Sequence, residues 1–307
     1  MKIAITGGSG FIGKNLIAQL AKVVGNEIIV FDRHFDAVLS TYDNVEQRLM
    51  DFDISYGFDF HLQQVDVLYH LVTTSTPATA RSLVTEITNN VLPSTLMFEA
   101  AVRQGVKKII FLSSGGAVYG GDTAEHHSET DILLPLSTYG EQKLMIERSL
   151  AFTTQNTDTD YAIIRLSNPY GPGQNPKGAL GLVTKLVYQA LTHAPITIYG
   201  DGENIRDFIY IDDAIQGILD IVANGADNQI YNLGTGQGAS VNEILERVTS
   251  EVGVTAVNYV SARQTDVRVS VLDISKFKQI TSLTGFVSLS DGIQKTKDFF
   301  QESGEIS

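Results

Sequence analysis

The sequence predicts a doubly wound parallel α/β sheet with a smaller α/β lobe interwoven at its C-terminal side. Three observations predict it. Short β-branched runs alternate with helical patterns through the first half of the chain. A glycine-rich turn joins the first strand to the first helix. After residue 167 the alternation loosens, yet no repeat or low-complexity linker separates the two parts. Parallel neighbours need crossover helices of one hand, and these cover both faces of the sheet.

Residues 2–6 (KIAIT) read as the first strand and 11–23 as the first helix, with Ile12, Leu16 and Leu20 at helical spacing. Residues 27–31 form a second apolar strand and 65–71 a later one, followed by a helical region up to 104. Pro93 should bend or interrupt that region. Residues 107–113 (KKIIFLS) and 161–166 read as buried strands, with a helix over 137–152 between them. The Gly-, Pro- and Asn-rich stretch 168–181 reads as an irregular functional loop. Helices are expected over 182–191, 212–223, 241–252 and near 289–300, and short strands over 196–199 and 229–232. The expected division is a nucleotide-binding domain over 1–167, with returning segments near 208–234, and a substrate lobe over 168–307.

The chain has 307 residues, 43% hydrophobic and 19% charged, which is a globular balance rather than a disordered one. The net charge of −13 makes nucleic acid an unfavourable partner. With no cysteine, disulfides, thiolate nucleophiles and Cys-based zinc sites are excluded. The apolar run at Met1 stops at Thr6-Gly7-Gly8, too early for a signal peptide, and no run of about 18 apolar residues suggests a membrane span. A cytoplasmic protein is expected.

The turn TGGSGFIG (6–13) places Gly7, Gly10 and Gly13 at G-x-x-G-x-x-G spacing between strand and helix. Missing side chains let the backbone approach a pyrophosphate, and the N–H groups at the helix start face its oxygens. Asp32 closes the second strand about 20 residues on, where an acid binds the adenosine ribose hydroxyls and repels a 2′-phosphate. A Rossmann domain holding NAD follows, tempered by Arg33 next to the acid. The competing reading is a structural turn followed by a chance Asp.

Tyr139 and Lys143 lie four residues apart and share one helix face. A free tyrosine titrates near 10, so basicity at pH 7 needs about 4 kcal/mol of preference for phenolate. An ammonium and a cationic nicotinamide can supply it. Tyr139 would then take the proton of a substrate alcohol as hydride leaves for NAD⁺. A Tyr-x-x-x-Lys pair also occurs on many solvated helices; its position beyond the cradle's sheet is what favours catalysis.

TGGSGFIG (6–13), Asp32, HLV (70–72), Asn90-Val91, SSGGAVYG (113–120), YGEQK (139–143), SNPYGP (167–172) and GDGENIRDFIYIDD (200–213) run in order along nearly the whole chain. In these the chain resembles the extended short-chain dehydrogenase/reductases, in particular the NAD-dependent epimerase/dehydratase family of sugar-nucleotide enzymes typified by UDP-glucose 4-epimerase. The resemblance implies that Gly7, Gly10, Phe11, Ile12 and Gly13 cradle the cofactor with Asp32 and Arg33. It implies that Asp53 and Ile54 flank the adenine and that Leu71, Val72 and Asn90 line the cofactor. Ser113 and Pro169 are implied beside the nicotinamide, with Lys143 on its ribose. Asn168, Arg206 and Arg263 are implied to hold the substrate diphosphate, which guanidinium forks suit. It also implies a homodimer through helices near 85–104 and 137–155.

Two departures bear on activity. The family's catalytic Ser or Thr position, four before the tyrosine of VYG, is Gly115, and Ala117 replaces the Thr often found two before it. The helper hydroxyl is then expected from Ser114, one residue earlier, or from a water, which would make Ser114 both catalytic and substrate-binding. Gly116-Ala117 also replaces the acidic pair of the family's dehydratases and the Glu of its decarboxylases, which disfavours both reactions. The remaining expectation is 4-epimerisation of a UDP-hexose or UDP-N-acetylhexosamine. The small Ser270, seven residues after Arg263, admits the N-acetylated sugars by the same resemblance. The alternatives are an NAD(P)-dependent reductase of a nucleotide 4-keto sugar and a non-catalytic NAD-binding sensor. No metal is expected. His126 and His127 read as part of a solvated lid, Asp212-Asp213 as a helix cap, and Tyr119 as either a gate or a packing aromatic.

Overall fold

Seven parallel strands form the central sheet in the computed structural model, which describes residues 1–53, 57–120, 126–253, 256–262 and 267–304. In chain order its strands are β1 (Lys2–Thr6), β2 (Glu27–Asp32), β3 (Val45–Leu49), β4 (Val67–His70), β5 (Lys108–Ser114) and β6 (Asp160–Leu166). Past β6 come β7 (Asn168–Tyr170), β8 (Ile196–Tyr199), β9 (Ile205–Tyr210), β10 (Gln229–Leu233), β11 (Gly238–Ser240), β12 (Val257–Val260) and β13 (Val269–Ser270). The spatial order β10-β6-β5-β4-β1-β2-β3 reverses at β1, which creates the switch point where an open α/β sheet binds its ligand.

Strand residues feed two cores by alternation. Ile3 and Ile5 of β1, with Ile110 and Leu112 of β5, join one cluster; Ala4, Ile109 and Phe111 join the other. The second cluster packs under helices Leu92–Arg103 and Thr138–Thr153 through Met97, Phe98, Ile146 and Leu150. The first extends without a break into the C-terminal lobe through Leu186, Ile198, Ile244 and Phe300. A shared core of this kind ties the lobes together. The chain leaves the main sheet after Leu166 and returns by helix Ile211–Asn224 and β10. The smaller sheets are β11-β9-β13 with β7 on β9, and the parallel pair β8–β12.

Several expectations are corrected. The first helix stops at Leu20, not 23, because Val23 and Val24 are exposed and Gly25 turns the chain at φ +85°. The edge strand β3 and the short strands β7, β9, β11, β12 and β13 carry too little apolar alternation to be read in advance. The stretch expected over 229–232 is β10, a strand of the main sheet. The region 83–103 is interrupted, as expected, by a π-helical turn, Ile87–Val91, ahead of helix Leu92–Arg103, whose first turn accommodates Pro93. Asp212 and Asp213 lie in the first helical turn but do not cap it; Asp213 accepts the Val287 N–H at 2.7 Å. His127 is not solvated. It is buried, its ring stacked on Tyr119 at 4.8 Å and its backbone N–H donating to the Val271 carbonyl. No helix among the described residues is long and apolar enough to cross a membrane.

Candidate active site

The glycine turn brings β1 against the loop after β4. Gly7 has φ +74°, and a Cβ there would stand 2.8 Å from the Val72 nitrogen. At Gly13 a Cβ would lie 2.5 Å from the Gly7 carbonyl oxygen, so helix Phe11–Leu20 can pack this close only on glycine. Gly10 is the N-cap, with no side-chain hydrogen bond to the helix start and no acid in the first turn. The N–H groups there keep their partial positive charge for an anion. Phe11 and Ile12 are half-buried and pack on the core below. Asp32 accepts the Ser9 N–H at 3.0 Å and the Arg33 N–H at 2.8 Å, which sets its carboxylate at the rim of the turn.

A cavity of about 750 Å³ runs from this turn. Gly7, Gly10, Asp32, Arg33, Asp53, Leu71 and Val72 line it, and it continues past Thr73–Ser75 to Glu86. Asn90 acts from behind: it is buried, and its side-chain oxygen accepts the Thr74 N–H at 2.8 Å, holding the wall in place. The uncapped helix start and the fixed acid fit a dinucleotide with free ribose hydroxyls. Ile54 and Arg263 lie outside the described residues.

Helix Thr138–Thr153 starts on the Ser137 cap, whose hydroxyl accepts the Gly140 N–H at 3.1 Å. Gly140 lets it press on the turn Gly115–Val118, since a Cβ there would meet the Ala117 carbonyl at 2.3 Å. Tyr139 and Lys143 are both buried on this helix. The Lys143 ammonium lies 5.9 Å from the Tyr139 ring centre and 4.8 Å from that of Phe111, and donates to the Leu112 carbonyl at 3.0 Å. Burial brings Lys143 down to about 8, opposed by the Glu147 carboxylate. Burial pushes Tyr139 up to about 12, and the Glu86 carboxylate adds to the rise.

Ser113 does not open onto this pair. Its hydroxyl donates to Glu147 at 2.5 Å, and Glu147 is gripped by Arg165 at 2.7 Å in a buried ion pair. Tyr119 is buried too, donating to Asn232 at 2.6 Å and accepting from Arg165 at 3.0 Å, so it packs rather than gates. Ser114, at the end of β5, is half-buried. No serine fits at position 115 without rearrangement: a Cβ on Gly115 would lie 2.7 and 2.9 Å from the two methyls of buried Leu272. On Gly116 a Cβ would meet only the Asn168 amide, at 4.0 Å, leaving open space there.

Asn168, Arg206 and Ser270 share a sheet face. Asn168 pairs with Phe208, two residues along β9 from Arg206, and Ser270 stands opposite Arg206. Asn168 donates to the Asp207 carbonyl at 2.9 Å and Arg206 to that of Ile205 at 2.8 Å. Pro169 follows Asn168 and is half-buried. Glu86, Ser75, Gln142, Glu147 and Leu272 escaped the sequence reading. Only Glu147 left a signal, as the next step of the 139–143 ladder.

A dinucleotide turn and a buried Tyr-x-x-x-Lys pair on one doubly wound sheet define an extended short-chain dehydrogenase/reductase. The sequence model of the NAD dependent epimerase/dehydratase family matches residues 3–234, and the chain belongs to that family. It is 29% identical to a putative UDP-glucose 4-epimerase of Methanocaldococcus jannaschii, over 98% of this chain and 99% of the relative. It is 30% identical to a dTDP-4-dehydro-6-deoxyglucose reductase of Escherichia coli, over 95% of each chain. Its fold superposes on the UDP-glucose 4-epimerase of Thermotoga maritima, solved with UDP-glucose, with a TM-score of 0.90 and 31% identity over 99% of both chains. NAD is the family's cofactor, and the turn and Asp32 fit it.

Proposed function

We propose that the protein is an NAD-dependent nucleotide-sugar 4-epimerase, acting on a UDP-hexose or UDP-N-acetylhexosamine through a transient 4-keto sugar. The buried Tyr139–Lys143 pair beside the dinucleotide cavity carries this reading. NAD, held by the glycine turn and Asp32, would supply reversible hydride transfer with no net consumption of cofactor. Tyr139 takes the proton of the C4 hydroxyl in the first half and returns it in the second. Lys143, braced on the Leu112 carbonyl, stabilises the phenolate that must stand before the first half and again after the second. Asn168 and Arg206, on one sheet face, hold the diphosphate while the sugar turns, and Arg263 assists. The open space at Gly116 and the small Ser270 support an N-acetylated sugar. Ser114 or a water serves as helper hydroxyl.

A second reading, reduction of a nucleotide 4-keto sugar, is supported by the similarity to the dTDP-4-dehydro-6-deoxyglucose reductase of Escherichia coli. In either case we expect a cytoplasmic homodimer. Interconversion of UDP-glucose with UDP-galactose, and of the N-acetylated pair, should proceed without added NAD and be followed by chromatography. Tyr139→Phe should lower the rate by roughly 10²–10⁴-fold. Inactivity on every UDP-hexose, with NAD(P)H consumed on a 4-keto nucleotide sugar, would establish the reductase instead.

A further inference from the structure

Beside Tyr139 stands a buried carboxylate to which the reaction assigns no task. Glu86 ends the short helix Leu83–Glu86 and is 2% exposed. It accepts the Ser75 hydroxyl at 2.5 Å, the Arg81 N–H at 3.1 Å and the Asn90 amide at 3.1 Å. The Ser75 oxygen in turn accepts from the Gln142 amide at 2.9 Å. Gln142 is wholly buried on the helix of Tyr139 and Lys143, and its carbonyl oxygen has no partner among the described residues. At the other side of Tyr139, the Thr138 hydroxyl donates to the Arg81 carbonyl at 3.1 Å.

These bonds have a geometry with a purpose. The loop 75–81 is stitched to the catalytic helix at Thr138 and Gln142, which bracket Tyr139. Glu86 grips both ends of that loop, Ser75 by its hydroxyl and Arg81 by its N–H. Ser75, Arg81 and Glu86 all line the cavity. Charge acts on the phenol from two elements: Lys143 on its own helix, and Glu86 from the neighbouring turn. His70 on β4, which faces Lys143, is held neutral by burial.

We propose that Glu86, with Ser75 and Gln142, is a positioning residue for Tyr139: it grips both ends of the 75–81 loop, which is bonded to the catalytic helix at Thr138 and Gln142, and so holds a carboxyl group on the phenol's side of that loop. The arrangement favours the step in which the phenol gives its proton to the 4-keto oxygen. In the opposite step Lys143 and the charge of the oxidised cofactor must together outweigh Glu86.

The inference rests on Tyr139 as the proton-transfer residue, and its test separates the two. Tyrosinate absorbance is followed against pH in NAD⁺-saturated protein, taking wild type minus Tyr139→Phe to isolate one phenol. In Glu86→Gln the midpoint should fall by about one pH unit, while Glu86→Asp should keep it near the wild-type value. Should E86Q fail to fold, Glu86→Ala, with water in place of the carboxylate, carries the same expectation. A neutral variant titrating no earlier than wild type overturns the proposal, as does an E86D shift as large as that of E86Q. A Tyr139→Phe enzyme with full turnover would instead remove the assigned role of Tyr139 and leave the pairing with Glu86 standing.

Discussion

Gly115 shows how one residue is set by a neighbour 157 positions away in sequence. The resemblance asks for a hydroxyl there, and buried Leu272 occupies its place. Gly115→Ser should therefore not raise activity. Overpacking should destabilise the fold by about 1–3 kcal/mol, read as a lower urea midpoint at unchanged slope. Pairing it with Leu272→Ala should recover part of that loss. Ser113 teaches the same lesson: its position was legible, but its direction, toward Glu147, depends on the helix that covers it. Tyr139, Lys143 and Asp32 were legible because their chemistry needs a spacing along one element.

At the scale of elements, the first strand, turn and helix act as one device. Gly13→Ala places a Cβ against the Gly7 carbonyl and the Gly8 backbone, which no side-chain rotation relieves. Helix Phe11–Leu20 would have to lift from β1, moving the N–H cradle with it. NADH binding, followed by its fluorescence, should weaken at least about tenfold, equivalent to about 1.4 kcal/mol. The interrupted stretch Leu83–Arg103 was partly legible through Pro93, which forbids a regular interior turn. The π-helical turn was not, since it answers to the packing of Asn90 and Glu86 beneath the cavity. Short strands such as β11 and β13 owe their existence to β9 between them, and no local pattern records that.

At the scale of the molecule, charge burial and surface exposure govern behaviour. Lys143 titrates at about 8 in the folded chain against an ordinary 10.5. Below pH 8 both states hold the proton and folding bears the full cost of the buried ammonium. Between pH 8 and 10.5 the unfolded chain holds more protons, so this group makes stability rise with pH. Tyr139, raised to about 12 from 10.0, acts oppositely from pH 10 upward. Urea midpoints of protein free of added NAD should thus climb from pH 8 to 10, and Lys143→Met should flatten that climb. Ile87 and Leu92 expose apolar side chains on the stretch near 85–104 expected at the dimer contact, with Leu83 and Val84 exposed just before it and Phe152, 79% exposed, on the second helix. If the proposed homodimer forms through this face, Val84→Asp should shift sedimentation toward the monomer with the fold unchanged.

What the sequence determined by itself was whatever is written in local spacing: the alternating elements of the sheet, the glycine turn with its acid, and the Tyr–Lys pair on one helix face. These depend on backbone geometry within a few residues, so pattern suffices. Only the tertiary structure decided which distant groups share the buried space around that pair, namely Glu86 through Ser75 and Gln142, Glu147 on Arg165, and Leu272 against Gly115. Such contacts join segments far apart in the chain, and close packing in a low-dielectric interior, rather than periodicity, selects them.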